Sequence, residues 1–88
     1  MTSYVQSITG SKTWQAIKTK FPRADVIQTP RQQQIGSVYI QLDDGLTYSI
    51  TAQGSVCKNK KHQFSVMPSD NDLVTIHHGL RWISRNAA

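Results

Sequence analysis

Residues 37–52 read SVYIQLDDGLTYSITA, and this stretch decides the fold. Val38, Ile40 and Leu42 alternate with Ser37, Tyr39 and Gln41, and Leu46, Tyr48, Ile50 and Ala52 alternate with Thr47, Ser49 and Thr51. A period of two marks strands with one buried face. A two-residue loop at Asp44-Gly45 sets Leu42 against Thr47 and puts an apolar side chain on the polar face. A three-residue loop, Asp43-Asp44-Gly45, pairs Leu42 with Leu46, Ile40 with Tyr48 and Val38 with Ile50, so every apolar residue falls on one face. Gly45 then occupies the left-handed position of such a loop, and a G1 bulge is expected there. The opposite face carries Ser37, Tyr39, Gln41, Thr47, Ser49 and Thr51, an uncharged surface with one aromatic able to stack on a base or meet a partner.

Around this hairpin, the N-terminal residues Ser3–Ile8 carry a weak strand pattern ended by Gly10. Ser11 is placed to cap a helix running to Phe21, with Trp14, Ile17 and Phe21 on one face and Pro22 as the stop. Val26-Ile27 suits a short edge strand, and Thr29–Gln34 (TPRQQQ) a loop. Gln53–His62 is expected to be an exposed, flexible, lysine-rich arm. Phe64 and Val66 open a further strand, the Pro68–Asp72 cluster turns, and Leu73–His77 returns as its partner. Leu80–Arg85 suits either a last strand or a short helix, and residues 86–88 form a frayed tail. The expected fold class is α+β: a curved antiparallel sheet of about five strands, built from two hairpins, with one N-terminal helix packed across it; a partly closed barrel is the alternative.

Eighty-eight residues suit a single domain with a modest core. No run is long enough to span a membrane, and the first ten residues lack the basic start and apolar core of a signal peptide. Cys57 is the only cysteine, so no intrachain disulfide forms and a cytoplasmic location is expected. Ten Lys and Arg stand against five acids, all Asp, for a formal charge of +5. Asp43, Asp44, Asp70 and Asp72 all fall in expected turns, so positive charge should be segregated on the surface, a balance that favours polyanions.

No catalytic or metal motif is complete. Adjacent His77 and His78 on a strand point to opposite faces, no paired-Cys or metalloprotease spacing occurs, and no cofactor is implied. The leading expectation is a non-catalytic nucleic-acid-binding protein, on DNA or RNA. Lys58, Lys60, Lys61, Arg81 and Arg85 would meet phosphates with Lys18, Lys20 and Arg23, and Tyr39 or Trp82 would stack on a base. The alternative is a small inhibitor or adaptor of the kind phages and mobile elements carry. It would bind a host nuclease or defence complex through Arg31, Gln32, Gln33 and Gln34, with homodimer formation through an exposed edge strand. A third is a small ribonuclease working through His77, His78, Arg81 and Arg85.

Overall fold

The central hairpin forms as its alternation requires. The computed structural model describes residues 4–87. In it, β2 (Val38–Asp43) and β3 (Leu46–Ile50) pair antiparallel, with Val38 opposite Ile50 and Ile40 opposite Tyr48. The register shifts between Gln41 and Asp43, so Asp43 rather than Leu42 faces Leu46. The irregularity therefore lies on β2 and not at Gly45, although Gly45 takes the expected left-handed conformation at φ +74. The shift keeps Leu42 fully buried while Asp43 stays exposed at the tip.

β1 (Asp25–Ile27), β4 (Ser55–Lys58) and β5 (Lys61–Ser65) complete a five-stranded antiparallel sheet in the order β1-β2-β3-β4-β5. The sheet is open, with β1 and β5 at its edges, and the fold is α+β. One face carries Val26, Val38, Ile40, Leu42, Tyr48, Ile50 and Val56, all buried in the core.

Among the described residues there are four helices, where the expected fold had one N-terminal helix and left Leu80–Arg85 open between strand and short helix. α2 (Lys12–Lys20) has the expected Ser11 cap, whose side chain accepts from the Trp14 N–H, and it buries Trp14 and Ile17. α1 (Tyr4–Thr9) replaces the expected N-terminal strand and buries Ile8; Ser3 lies outside the described residues. α3 (Pro30–Ile35) replaces the TPRQQQ loop: Thr29 and Gln32 form a reciprocal capping box, Pro30 sits in the first turn, and Gly36 ends the helix at φ +76. The second expected hairpin does not form, because residues 72–86 are the long helix α4 (Asp72–Asn86). Asn71 caps it through the Leu73 N–H, and Asp72 and Arg85 sit at the ends that suit their charges.

α4 is also the helix seated on the sheet. Thr75, Ile76, Gly79, Leu80 and Ile83 are its buried face. Gly79 allows the approach: a Cβ there would lie 2.6 Å from Ile50 Cγ2. Burying Ile76, Leu80 and Ile83 completely contributes about 1.5–3 kcal/mol each. The tail is ordered as far as Ala87, which is buried; Ala88 lies outside the described residues.

Candidate nucleic-acid interface

The lysine-rich segment is an ordered hairpin, not a flexible arm. β4 and β5 are joined at Asn59-Lys60, both with positive φ (49° and 71°), the geometry of a tight turn whose twist matches the strands. Asn59 pins this turn to the β2–β3 turn: its Oδ1 accepts from the Thr47 N–H at 2.9 Å and its Nδ2 donates to the Gly45 carbonyl at 2.9 Å.

This hairpin and α4 together build a groove. Phe64 of β5 stacks on Trp82 of α4 with ring centroids 5.4 Å apart and planes 13° from parallel. Trp82 also meets the buried Tyr48 edge-on at 6.5 Å. Phe64 remains 46% exposed, so one face of the stack is open. The groove has a volume of about 440 Å³, and Arg81, Arg85 and His78 line it beside the two rings. Arg81 and Arg85 are one helical turn apart, so both point to the same side of α4. Lys58 is opposite Tyr48 in register and Lys61 opposite Lys58, so both stems leave the sheet on the face where Trp82 packs.

Charge on this side is unneutralised. Among the described residues the ion pairs all involve Arg23, which reaches Asp43 at 3.8 Å and Asp44 at 3.5 Å. That exposed contact places Arg23 beside the acids of the β2–β3 turn, away from the groove. Arg81, Arg85, Lys58 and Lys61 have no acidic partner among the described residues. Lys12, which the sequence reading left out, joins Arg81 and Arg85 around a shallow hollow between α2 and α4. Lys20 reaches the same seam and donates to the Ser84 carbonyl at 2.9 Å, whereas Lys18 folds back onto the Pro22 carbonyl at 2.8 Å.

The remaining candidates go elsewhere. Tyr39 lies on the opposite, outer face of the sheet, 41% exposed, and Lys60 lines a hollow on that face. Arg31 and Gln34 are exposed on α3, Gln33 is half-buried, and Gln32 is buried because its Oε1 accepts from the Thr29 N–H as half of the helix cap. Gln32 is therefore a structural residue and no contact. The β5 edge carries a register shift between Val56 and Cys57, and Gln63 turns its amide onto the Lys61 and His62 carbonyls at 3.2 and 3.4 Å. A bulge and a lysine both blunt an edge against pairing with another chain.

The two adjacent histidines have different surroundings. His78 Nδ1 donates to the Met67 carbonyl at 3.1 Å, at the rim of the groove. His77 is half-buried, with Nε2 at 3.0 Å from Ser7 Oγ on α1. Burial first, then the charges of Arg81 and His78, hold the His77 imidazole below its usual range. The unfolded chain therefore takes up a proton that the folded chain resists. The stability from this residue is complete above the unfolded value of about 6.5 and falls as pH drops through it, levelling off below the folded pKa. Thermal unfolding of the wild type and His77→Gln between pH 5 and 8 checks this: the variant is expected to lose part of the acid-side decline. Identical profiles would rule the effect out.

Phe64 is the site residue that sequence reasoning missed, because its partner Trp82 was not placed on a helix. Among the described residues no three His, Cys, Asp or Glu side chains converge as a metal site requires, and no helix is long and apolar enough to cross a membrane. Comparisons with protein-family models, with curated proteins and with solved structures find no match to this chain.

Proposed function

We propose that this protein is a non-catalytic binder of single-stranded nucleic acid that acts in the cytoplasm, with the β5–α4 groove as its binding face. The carrying observation is the Phe64–Trp82 stack, open on one side and flanked by Arg81 and Arg85, which have no acidic partner among the described residues. A base stacks on the free face of Phe64, and the two guanidiniums take the adjacent phosphates, which suits a strand whose bases are unpaired. Lys58 and Lys61 extend the positive track along the hairpin.

Fluorescence anisotropy with labelled single-stranded DNA, single-stranded RNA and duplex DNA, each titrated over salt, tests this reading. Binding to the single strands is expected to weaken linearly on a log–log plot with a slope of about −0.7 per phosphate contacted. Phe64→Ala is expected to weaken single-strand binding about tenfold and, through the lost stack on Trp82, to lower the thermal unfolding midpoint by about 4–8 °C, leaving a folded protein at the assay temperature. No binding at low salt would refute the proposal, and equal loss on duplex DNA would refute the role of stacking.

A protein partner is the second reading, favoured by Ile35, which is 57% exposed on α3 beside Arg31 and Gln34. A pull-down from nuclease-treated lysate with wild type and Ile35→Asp separates it: a partner that survives nuclease and is lost with the variant belongs to α3.

A further inference from the structure

The outer face of the sheet holds a second hollow, unrelated to the groove. Its volume is about 420 Å³, the size of a small-ligand site, and Ile27, Tyr39, Gln41, Thr47, Ser49 and Lys60 line it. The register brings these residues together: Ile27, Tyr39 and Ser49 form one row across β1, β2 and β3, and Gln41 and Thr47 the next. Among the described residues, the Tyr39 hydroxyl, the Gln41 amide, the Thr47 and Ser49 hydroxyls and the Lys60 ammonium have no hydrogen-bond partner. Five polar side chains with spare hydrogen-bonding capacity thus converge on one aromatic-floored concavity.

Lys60 is the decisive member. It sits at φ +71, where glycine is the favoured residue, in a turn that Asn59 clamps to Thr47 and Gly45. Glycine would suit this backbone better, so the lysine side chain stands here at a cost in stability. Lys60 is also the charged group of the hollow. Of the carboxylates near this face, Asp43 and Asp44 meet Arg23, while Asp25, opposite Gln41, keeps its charge and accepts from the Val26 N–H at 2.9 Å, so the Lys60 ammonium must outweigh it for a phosphate to bind. The hollow therefore presents one cation, one open aromatic ring and several neutral donors and acceptors.

We infer that this face binds a nucleoside 5′-phosphate, with the base against Tyr39, its edge atoms on Gln41, Thr47 or Ser49, and the phosphate on Lys60. Free nucleotides and the 5′-phosphorylated end of a strand share this chemistry. The site lies across the sheet from Arg81 and Arg85 and stands whether or not the groove binds a strand.

The test is NMR titration of the full-length protein with adenosine 5′-monophosphate, uridine 5′-monophosphate, adenosine, and a 5′-phosphorylated trinucleotide. Saturable shifts are expected at Tyr39, Gln41, Thr47, Ser49 and Lys60, with adenosine binding about tenfold more weakly than its phosphate. Equal affinity for mononucleotide and trinucleotide identifies the free nucleotide as the ligand; tighter trinucleotide binding identifies the strand end. Lys60→Gly is the discriminating variant, expected to raise the thermal unfolding midpoint while weakening phosphate binding about tenfold. Arg81→Ala with Arg85→Ala is expected to leave these shifts unchanged. Absence of shifts at millimolar ligand, shifts confined to the groove, or unaltered affinity in Lys60→Gly would each overturn the inference.

Discussion

Replacing Gly54 by alanine is expected to destabilise the protein by about 3 kcal/mol or more, whereas the same change at Gly45 is expected to cost about 1 kcal/mol. Both glycines have positive φ, +89 at Gly54 and +74 at Gly45, so both substitutions incur the penalty of a side chain in the left-handed region. Their surroundings differ. Nothing lies within 4 Å of a Cβ built on Gly45, but one built on Gly54 would stand 2.3 Å from the Val66 carbonyl oxygen. That oxygen is backbone and cannot rotate away. The Val66 N–H also donates to the Gly54 carbonyl at 2.8 Å, so a shift that relieves the clash breaks the contact that ties the chain leaving β5 to the β3–β4 turn. A domain of this length has about 5–10 kcal/mol of stability in total, so Gly54→Ala is expected to unfold a visible fraction near body temperature. Urea unfolding of the two variants measures the difference directly. Equal costs would show that the chain separates at Val66 without penalty.

Two stretches read differently from what they form, each for its own physical reason. Gly79 reads as a breaker, and before it the run Leu73–His77 looks like a strand of alternating faces. In the structure Gly79 is there because Ile50 comes too close for a Cβ, and the helical spacing of Ile76, Leu80 and Ile83 passes straight through it. A glycine that permits contact and a glycine that ends an element look identical until the partner is known. The TPRQQQ stretch is a different case. Thr29, Pro30, Gln32 and Gly36 are a complete set of helix start and stop signals, so α3 was legible and was masked by its polar composition. The strands of the β2–β3 hairpin and the helix α2 were legible because each carries its own period and its own boundary residues, with no appeal to a distant partner; the register at the hairpin tip, where Asp43 and not Leu42 meets Leu46, was not.

The candidate site was legible in its parts and not in its grouping. Arg81, Arg85 and Trp82 were visible as residue types, but only a helix over 72–86 sets the two arginines on one side and leaves the tryptophan to meet Phe64. Tyr39 and Lys60 were assigned to the same surface as Arg81 from charge and aromaticity alone. Strand parity and the Asn59 turn place them on the far side of the sheet. Charge summed along a chain says how much polyanion attraction exists; only the sheet decides which face carries it.

Reversing both arginines, in the double variant Arg81→Glu and Arg85→Glu, is expected to reduce affinity for single-stranded nucleic acid at least 100-fold. Each guanidinium–phosphate contact contributes about 1.5 kcal/mol or more, so losing two removes about 3 kcal/mol before any repulsion is counted. The salt dependence separates this from a general loss of fold or charge. With two fewer phosphates engaged, the magnitude of the log–log slope should fall by about 1.4 for a single strand. Both side chains are exposed on α4 and have no ionic partner among the described residues, so circular dichroism should show an unchanged fold. The matching control is Lys18→Glu, whose ammonium is held at the Pro22 carbonyl, away from the groove. It changes net charge by the same amount as one arginine reversal and is expected to shift affinity only a few-fold through the long-range field. If Lys18→Glu weakened binding as much per charge as the arginine pair, the contact would be diffuse attraction to the whole molecule. A selective loss at Arg81 and Arg85, with the slope reduced, would place the strand on the open face of the Phe64–Trp82 stack.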